Sequence, residues 1–410
     1  MSSTYQRFIA RGRIAAIPVV AAAAVTGGVL GVSSASAKKI GHPAGAAVSK
    51  TTLNTLKKFV AAEQTAPAWI APGPAVNAKK ALKGKTIVTF PISSEIDACN
   101  LKGQQGYLDA EAKALGAKVD ALNSNTGPTG WQSNLQQAIT AKASAVVMLC
   151  GVPASLVAPQ LASLKAAHIP VVDGNYNQTG GNPAFPFTNL SAMSGVDTAG
   201  GVKTDLADAL VNLNGKAAHI LFLNSPVVAQ YSGATQALKK AMSQWCSSCT
   251  IVKQEDFQTQ DWSGPKEIAA VTSDLQANPS INTVIVTFDG MTDGIESAVA
   301  SAAASHHGLK MYAWGGGLAE IKAVQNGGTF AGDSGPNEKW DAYAQLDQVI
   351  RLLSHKPAVN VTKETAPNMY FTKKNAAQFS VGGKGQAYSD KAFSNGAFVK
   401  DYLRLWGVIK

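Results

Sequence analysis

The sequence predicts an α/β protein built from two doubly wound, parallel-sheet lobes. From Gly84 onward, buried strands alternate with amphipathic helices, the pattern of a parallel sheet covered on both faces. The alternation restarts near residue 198, so the chain forms two similar series, each too short to be a barrel. The 410 residues, of which 46% are apolar and 15% charged, suffice for two domains with sizeable cores.

The first 37 residues have the three parts of a secretory signal. A positive stretch, "RFIARGR", precedes the apolar run Ile14–Val32, and small residues at Ala35 and Ala37 precede Lys38. This order predicts a signal peptide, residues 1–37, that is cleaved before Lys38. An uncleaved membrane anchor is the alternative, although Pro18 and nearby glycines weaken the run as a span.

The net charge is +10, but the distribution of the charges does not indicate a nucleic-acid partner. Three of these charges, Arg7, Arg11 and Arg13, leave with the signal segment, so seven remain on the exported chain. The remaining lysines are scattered rather than grouped into a basic arm. We interpret them as a solvated surface, with a polyanion such as a cell wall as the alternative partner.

Residues 38–83 are expected to form an extended leader or linker. Pro67, Pro72 and Pro74 lie within eight residues of one another, which is typical of an extended segment. Before them, "TTLNTLKKFVAAEQ" predicts one short helix.

The first series alternates strand and helix and begins with a strand. Gly116 follows its first helix and is a helix-stop signal. In order, the segments are "KTIVTFPI", "LKGQQGYLDAEAKALG", "AKVDALNS", "GWQSNLQQAITAKA", "SAVVMLCG", "PASLVAPQLASLKAAHI" and "PVVDGN".

The second series begins with a helix and ends with one. Ligands of such sheets bind beyond the carboxyl ends of the strands, so a cleft between the two lobes is the expected site. In order, the segments are "TAGGVKTDLADALVNLNG", "AAHILFLNS", "GATQALKKAMSQW", "TIVKQEDF", "GPKEIAAVTSDLQANP", "INTVIVTFDG", "TDGIESAVASAAAS", "LKMYAWGGG", "LAEIKAVQNGG", "TFAGDSG" and "EKWDAYAQLDQVIRLLSHK".

Four cysteines in an exported chain indicate two disulfides. Cys246 and Cys249 have the spacing of a redox motif, but they follow a helix-like run, whereas a redox pair begins a helix. The six histidines have no ligand spacing to a cysteine. We therefore expect a local structural disulfide here and no metal, with a redox or zinc site as the alternative.

Asp289 and Asp293 lie four residues apart directly after an apolar strand. A helix start favours carboxylates through its free N–H groups and its dipole. We expect Asp289 to be a cleft residue or a cap and Asp293 to be a helix-start charge. A metal site or an acid–base pair is the alternative, but "MTDGIES" does not complete a set of oxygen ligands.

The element order, the "IPVVDGN" strand, "FDGMTDGIESAV" and "AVQNGGTFAG" resemble type I periplasmic binding proteins, in particular the ribose-type substrate-binding proteins of bacterial ABC sugar importers. The resemblance covers about residues 84–382. It implies a hinge of three chain crossings, near 189–191, 335–337 and 363–367, that closes on a ligand. The implied organisation is an N-lobe of 84–190 plus 337–365, a C-lobe of 191–336 plus 366–382, and a C-terminal extension, 383–410, that packs as a helix on one lobe.

The resemblance also places ligand contacts at the ends of strands in both lobes. Asn175 and Tyr176 stand where the family commonly has Asp and Arg, and Tyr231, or Gln230 beside it, stands at a sugar-binding Arg. The expected ligand-binding residues are Ser94, Glu95, Asn100, Gly151, Asn175, Tyr176, Tyr231, Trp262, Phe288, Asp289, Gly315 and Asp333.

The site departs from the family pattern in its charge. The clamp of Asp and Arg residues is largely lost and aromatic residues are gained, among them Trp262 near the family's stacking aromatic and Trp314 in place of a Phe. A ring of hydroxyl groups needs a polar partner for each, so this site suits a flatter or less polar solute. Burial of Phe288 and Trp314 in the core is the alternative.

Cys99 and Cys150 both follow strands of one lobe, so we expect them to form the second disulfide. The function implied is a secreted protein that captures a sugar or related polar or aromatic solute and delivers it to an ABC transporter permease, as a monomer without cofactor. A ligand sensor for a membrane receptor is the alternative. A secreted hydrolase is a further one, but G-x-S-x-G, H-E-x-x-H and Walker motifs are absent.

Overall fold

A computed structural model of the chain describes residues 48–124, 127–177, 189–379 and 387–410. For residues 175–177, 229 and 387–389, it describes only the backbone. The signal segment 1–37 and leader residues 38–47 lie outside the described residues.

Twelve strands and fourteen helices occupy the described residues. The strands, β1 to β12 in chain order, are Thr86–Pro91, Lys118–Ala121, Ala145–Leu149, Val171–Asn177, Ala192–Val196, His219–Asn224, Thr250–Asp256, Thr283–Val286, Lys310–Trp314, Phe330–Pro336, Thr365–Ala366 and Asn368–Thr372. The helices, α1 to α14, are Lys50–Glu63, Ala78–Leu82, Gln104–Ala114, Pro128–Thr140, Ala158–Ala166, Thr198–Asn212, Ala234–Trp245, Pro265–Ala277, Ile295–Ala302, Leu318–Asn326, Glu338–Leu353, Lys373–Ala376, Ala387–Ala392 and Ala397–Leu405. None of them is long and apolar enough to cross a membrane.

The strands form two six-stranded sheets, which confirms the predicted fold class. The first sheet has the order β11-β5-β4-β3-β1-β2 and is parallel throughout. The second has the order β12-β10-β9-β8-β6-β7 and is parallel except for β12, which runs antiparallel to β10. The central strands β3 and β8 are buried at every position, because helices cover both faces of each sheet.

The chain passes between the two sheets at three places. The first is Asp197, whose side chain caps α6 by accepting a hydrogen bond from the Gly200 amide at 2.9 Å. The second is Asn337, which caps α11 through the Trp340 amide, and the third is Pro367, between β11 and β12. The expected first crossing at 189–191 is corrected, because strand β5 continues the first sheet as far as Val196.

Residues 48–83 are packed against the protein, unlike the extended linker that their composition predicts. The short helix expected there is α1, whose Leu56 and Val60 are buried against α6 of the second lobe. The chain then reaches the first lobe, where Ala78 and Leu82 of α2 are buried in the core. The described leader therefore contacts both lobes.

The described part of the C-terminal extension, residues 387–410, packs on the first lobe. Helix α14 lies against α11, and Phe398 stacks on Trp340 with ring centroids 4.6 Å apart. Trp406 is fully buried and stacks on Tyr343 at 5.2 Å. The Val76 amide donates a hydrogen bond to the Leu405 carbonyl, so the leader and the extension support each other.

Both predicted disulfides are formed. Cys99–Cys150 joins the loop after β1 to the end of β3, and Cys246–Cys249 closes the turn between α7 and β7. All four cysteines are buried. The first bridge anchors a loop at the carboxyl edge of the first sheet, and the second is the local structural bridge that its position at a helix end predicts.

Replacing both Cys246 and Cys249 with serine is expected to cost only a modest part of the stability. The two residues are three apart in sequence, so in the loop-closure model the bridge restricts the unfolded chain by roughly 2 kcal/mol. Urea unfolding of the ligand-free double variant checks this. A loss of native circular dichroism at 25 °C without urea would contradict it.

Candidate functional site

A cleft of about 1100 Å³ lies between the carboxyl ends of the two sheets. The first lobe contributes the loop after β1, including Ile92 and Glu95, and Trp131 of α4. The second lobe contributes Trp262 from the loop after β7 and Asp289 from the loop after β8. Two sheets whose carboxyl edges face each other form a crevice that both lobes line, which is the expected ligand position in this fold class.

The second-lobe wall is an aromatic cluster. Trp262 and Phe288 lie side by side with ring centroids 4.8 Å apart, and the Trp262 indole N–H donates a hydrogen bond to Ser225 Oγ at 3.2 Å. Behind them, Tyr231 contacts both rings and also Trp314, with centroids 5.6–6.4 Å apart. This packing holds the Trp262 and Phe288 rings in place, so the wall is formed before a ligand binds.

The first-lobe wall is held by the disulfide and by one buried tryptophan. Trp131 is 3% exposed, and its indole N–H donates to the Ile92 carbonyl at 2.9 Å. The Cys99–Cys150 bridge ties the far end of the same loop to β3. The loop therefore presents Ile92 and its neighbours to the cleft at a defined distance from the first sheet.

Buried carboxyl groups lie at the base of the second-lobe wall. Asp289 accepts a hydrogen bond from the Gly317 amide at 2.6 Å through Oδ2, while its Oδ1 has no hydrogen-bond partner among the described residues. Glu320 accepts a hydrogen bond from Thr292 Oγ1 at 2.9 Å. Asp333 and Asp205, both fully buried, lie behind Asp289.

Burial raises the pKa of each of these four carboxyl groups. For Asp289 and Asp333 the pKa lies well above its usual value because burial disfavours the charged form, and neighbouring carboxylates raise it further. The same causes raise the pKa of Asp205, through burial first and then through Asp208 and Asp289. Within the described residues, no group of three or more acidic, His or Cys side chains is arranged to hold a metal ion.

Other buried carboxyl groups make stability depend on pH. Burial raises the pKa of Asp341 and of Glu267 to about 7, and that of Asp109 and of Asp208 to about 6. The native state therefore binds these protons more tightly than the unfolded chain, whose carboxyl groups titrate near pH 4. The stability that this gives is complete below about pH 4 and is lost as the pH rises through 6 and 7.

We expect the melting temperature of the ligand-free protein to be higher at pH 5 than at pH 8. Scanning calorimetry at pH 5, 6, 7 and 8 checks this, and Asp341→Asn, which removes a fully buried titrating group, should flatten the profile. A melting temperature that rises steadily from pH 5 to pH 8 would contradict it.

Five of the residues predicted from the sequence line the cleft. Asp289 is 7% exposed, and Gly315 lies beside it, where a side chain would collide with the Asp289 carboxyl group. Asp293 also lines the cleft and is exposed just before α9. The five are Glu95, Trp262, Phe288, Asp289 and Gly315.

The structure gives other positions to several predicted residues. Ser94 accepts a hydrogen bond from the Ser124 amide, and Asn100 donates to the Ser94 carbonyl, so both shape the loop after β1. Tyr231 and Asp333 are completely buried behind the wall.

Of the three remaining predicted residues, one lies away from the cleft lining and two have side chains outside the described residues. Gly151 is buried next to the disulfide, because its neighbour Cys150 is bonded into the first-lobe loop. The side chains of Asn175 and Tyr176 lie outside the described part of the chain.

Several lining residues were not predicted from the sequence. The sequence predicts Ile92 and Trp131 to be core residues, because an apolar side chain at the end of a strand or on a helix does not by itself indicate a ligand contact. Gly317 is the last residue of the glycine run "GGG", and Glu320 lies three residues after it. That run was the available signal, since glycines after a strand allow a close approach of backbone to another group.

Solved structures with a similar fold include solute-binding proteins of ABC transporters. One from Agrobacterium vitis with bound allitol is 21% identical, with a TM-score of 0.59 over 72% of this chain and 98% of that one. One from Mycobacterium smegmatis with bound glycerol is 18% identical, with a TM-score of 0.61 over 74% and 99%. A 5-methylthioribose transporter solute-binding protein from Thermotoga lettingae is 12% identical, with a TM-score of 0.63 over 80% and 98%.

The family is established by a sequence model. The model described as "Periplasmic binding protein domain" matches residues 102–357, more than half of the chain. No curated protein matches the sequence. The chain therefore belongs to the periplasmic binding protein domain family, as the resemblance in its sequence predicts.

Proposed function

We propose that this chain is an exported solute-binding protein that captures a small molecule in its interlobe cleft and delivers it to an ABC importer in the membrane. The observation that carries the proposal is the cleft of about 1100 Å³, lined by both lobes at the carboxyl ends of both sheets. Similarly folded proteins bind allitol, glycerol or 5-methylthioribose, so the ligand is expected to be a sugar, a polyol or a related solute.

Capture needs two surfaces that approach each other, and the fold supplies them. One wall is the loop after β1 with Trp131, and the other is the aromatic pair Trp262 and Phe288. The three crossings at Asp197, Asn337 and Pro367 give a hinge through which the lobes close around the solute. Closure removes the solute from water and presents one face of the closed protein to a permease.

The role proposed for the cleft is binding and not catalysis. Its described polar lining combines buried and exposed carboxyl groups with serine, threonine and glutamine side chains, and the sequence lacks the G-x-S-x-G, H-E-x-x-H and Walker motifs. We propose a monomer that acts without a cofactor and whose partners are the solute and the permease.

A thermal-shift screen tests capture. The chain from residue 38 onward is heated with each member of a panel of sugars, polyols and aromatic acids, and a ligand of the native state raises the melting temperature. At 100 times its dissociation constant, a solute stabilises the fold by about 2.7 kcal/mol.

A pair of tryptophan variants shows whether the shift arises in the cleft. Ala319 is an exposed cleft residue, and Ala319→Trp should fill the space and abolish the shift. Ala304 is exposed just after α9 and does not line the cleft, so Ala304→Trp should keep it. A shift that survives Ala319→Trp would place binding elsewhere, and no shift with any solute would count against the proposal.

We expect the exported form to begin at Lys38 and to carry no lipid. The reason is the small-residue site at Ala35 and Ala37, with the first cysteine as far away as Cys99. Intact-mass measurement of the protein recovered from the culture medium or cell envelope checks this. A chain that starts at residue 1, or that gains the mass of a diacylglyceryl group, would contradict it.

A further inference from the structure

We propose that the solute captured in the cleft carries a positive charge, as an ammonium group on a small hydroxylated or partly apolar body. The inference rests on the proposed function, because it assumes that the cleft holds a solute. Three separate observations support it: the excess of acidic over basic residues lining the cleft, a buried carboxyl oxygen without a hydrogen-bond partner among the described residues, and the aromatic surface of the same cleft wall.

The ionisable side chains that line the cleft are mostly acidic. Of the described residues that line it, six are acidic and one, Lys102, is basic. Lys102 is mostly exposed, and its ammonium is already paired with Asp97 at 2.9 Å. Among the segments between residues 48 and 410 that are partly or wholly undescribed, 125–126 and 175–188 contain no charged residue in the sequence, and 380–389 contains one, Lys384. The six acids are Glu95, Asp97, Asp289, Asp293, Glu320 and Glu338.

Two of these carboxylates converge at the base of the cleft. A side chain placed on Gly317 would lie 2.2 Å from Glu320 Oε2 and 2.9 Å from Asp289 Oδ2, so both oxygens border the same small space. Asp289 is 93% buried, lines the cleft and has no hydrogen-bond partner for its Oδ1 among the described residues. Asp333 and Asp205 add two more carboxyls behind it.

The ionised form of such a cluster is costly without a counter-charge. A buried carboxyl group either takes up a proton, which is why its pKa is raised, or, when ionised, needs a cation or several donors in exchange for its hydration. The groups that influence Asp289 most strongly, apart from burial, are the Glu320 carboxylate, the Gly317 amide, Asp333 and Glu338, and none of these is a cation. An ammonium group of the solute would favour the ionised form of Asp289 and donate a hydrogen bond to its Oδ1.

The neighbouring wall suits the same group. Phe288 directly precedes Asp289, and Trp262 lies against Phe288. An ammonium over an aromatic face is attracted by the ring's quadrupole, and Trp is the strongest partner. A carboxylate and two aromatic rings on one wall therefore recognise a cation by two mechanisms, whereas a neutral sugar would use neither fully.

Matched pairs of solutes that differ in charge test the inference. Titration calorimetry at pH 7.5 compares 1-amino-1-deoxysorbitol with sorbitol, glucosamine with glucose, and tyramine with 4-ethylphenol. In at least one pair, the amine should bind roughly tenfold or more tightly than its neutral partner, the usual range for a hydrogen bond to a charged group. Calcium chloride is titrated separately, because a metal ion is the other cation that carboxylates attract.

The variant Asp289→Asn assigns any preference to the cleft. It removes the ionisable carboxyl group but keeps an oxygen that can accept from the Gly317 amide, so it should abolish the preference for the amine. The control Asp120→Asn makes the same change at an exposed residue of β2 outside the cleft and should leave the preference intact.

Each other outcome is decisive. Equal or tighter binding of the neutral partners would overturn the inference while leaving solute capture in place. A calcium response that Asp289→Asn abolishes, without binding of any amine, would also overturn it. If no member of any pair binds, the inference is overturned, while solute capture is decided by the thermal-shift screen.

Discussion

Replacing Trp262 with alanine is expected to weaken solute binding by about 30-fold or more, since truncating an aromatic hot spot costs roughly 2–4 kcal/mol. Trp262 is only partly buried, lines the cleft and is held in place by Phe288 and by its hydrogen bond to Ser225. Its exposed face is therefore available for a solute that lies between the lobes. The loss combines the buried area with an aromatic contact worth about 0.5–1.5 kcal/mol.

The control for this variant is a tryptophan of similar burial elsewhere on the same lobe. Trp245 is partly exposed at the end of α7 and packs against Phe59 of the leader, outside the cleft. Calorimetry with any solute from the screen should show weaker binding for Trp262→Ala and unchanged binding for Trp245→Ala. Equal affinity of Trp262→Ala and the unsubstituted protein would mean that the indole only supports the wall.

Replacing Arg351 with methionine is expected to lower the free energy of unfolding by about 3–5 kcal/mol, because it leaves a buried carboxylate without its partner. Arg351 is 2% exposed and donates to Asp347 Oδ2 at 2.5 Å and to the Pro74 carbonyl at 3.0 Å. Asp347 is fully buried and also accepts a hydrogen bond from the Trp406 indole at 2.7 Å. Removing the Arg351 guanidinium therefore disturbs α11, the leader and the C-terminal helix together.

A second buried acid increases the expected loss. Burial raises the pKa of Glu364 well above its usual value, and Asp347 raises it further, while Arg351 lowers it. Without Arg351, both acids lose their cation.

Urea unfolding of the ligand-free protein measures the effect of Arg351→Met. The exposed pair Arg404–Asp401 is the control, and Arg404→Met should cost less than about 1 kcal/mol. The double variant Arg351→Met with Asp347→Leu should recover part of the loss, since the unpaired carboxylate is gone. A single-variant loss no larger than that of Arg404→Met would show that the buried pair contributes little.

The sequence predicts most of the architecture because its strands are buried on both faces. Runs such as "AVVML" of β3 are apolar at every position, and each is followed by an amphipathic helix. Strand β5, "AMSGV", was missed because serine and glycine interrupt its apolar pattern. That short strand moves the first crossing to Asp197, six residues beyond the expected range of 189–191.

The leader shows that composition alone does not predict whether a segment is buried. Prolines and alanines predict an extended segment, and the chain does lack helix between α1 and α2. Its burial comes from partners far away in sequence, such as Arg351 beside Gly73 and Leu405 beside Val76. Local sequence does not contain that information.

The site was predicted less completely than the fold. Asp289 could be predicted as a cleft residue because it follows a strand, and Trp262 because it lies in the loop after β7. Which of several aromatic residues faces the cleft depends on packing, and Tyr231 lies behind the wall because Trp262 and Phe288 cover it. Trp131 faces the cleft from a helix whose pattern indicates only a core position.

The central claim is that both lobes hold one small solute between them. The most direct measurement is a crystal structure of the protein from residue 38 onward with the solute that gives the largest thermal shift. We expect electron density for the solute between Trp262 and Phe288 on one side and Ile92 and Trp131 on the other, with the lobes closed around it. A solute bound at another surface, with the cleft empty, would contradict the account.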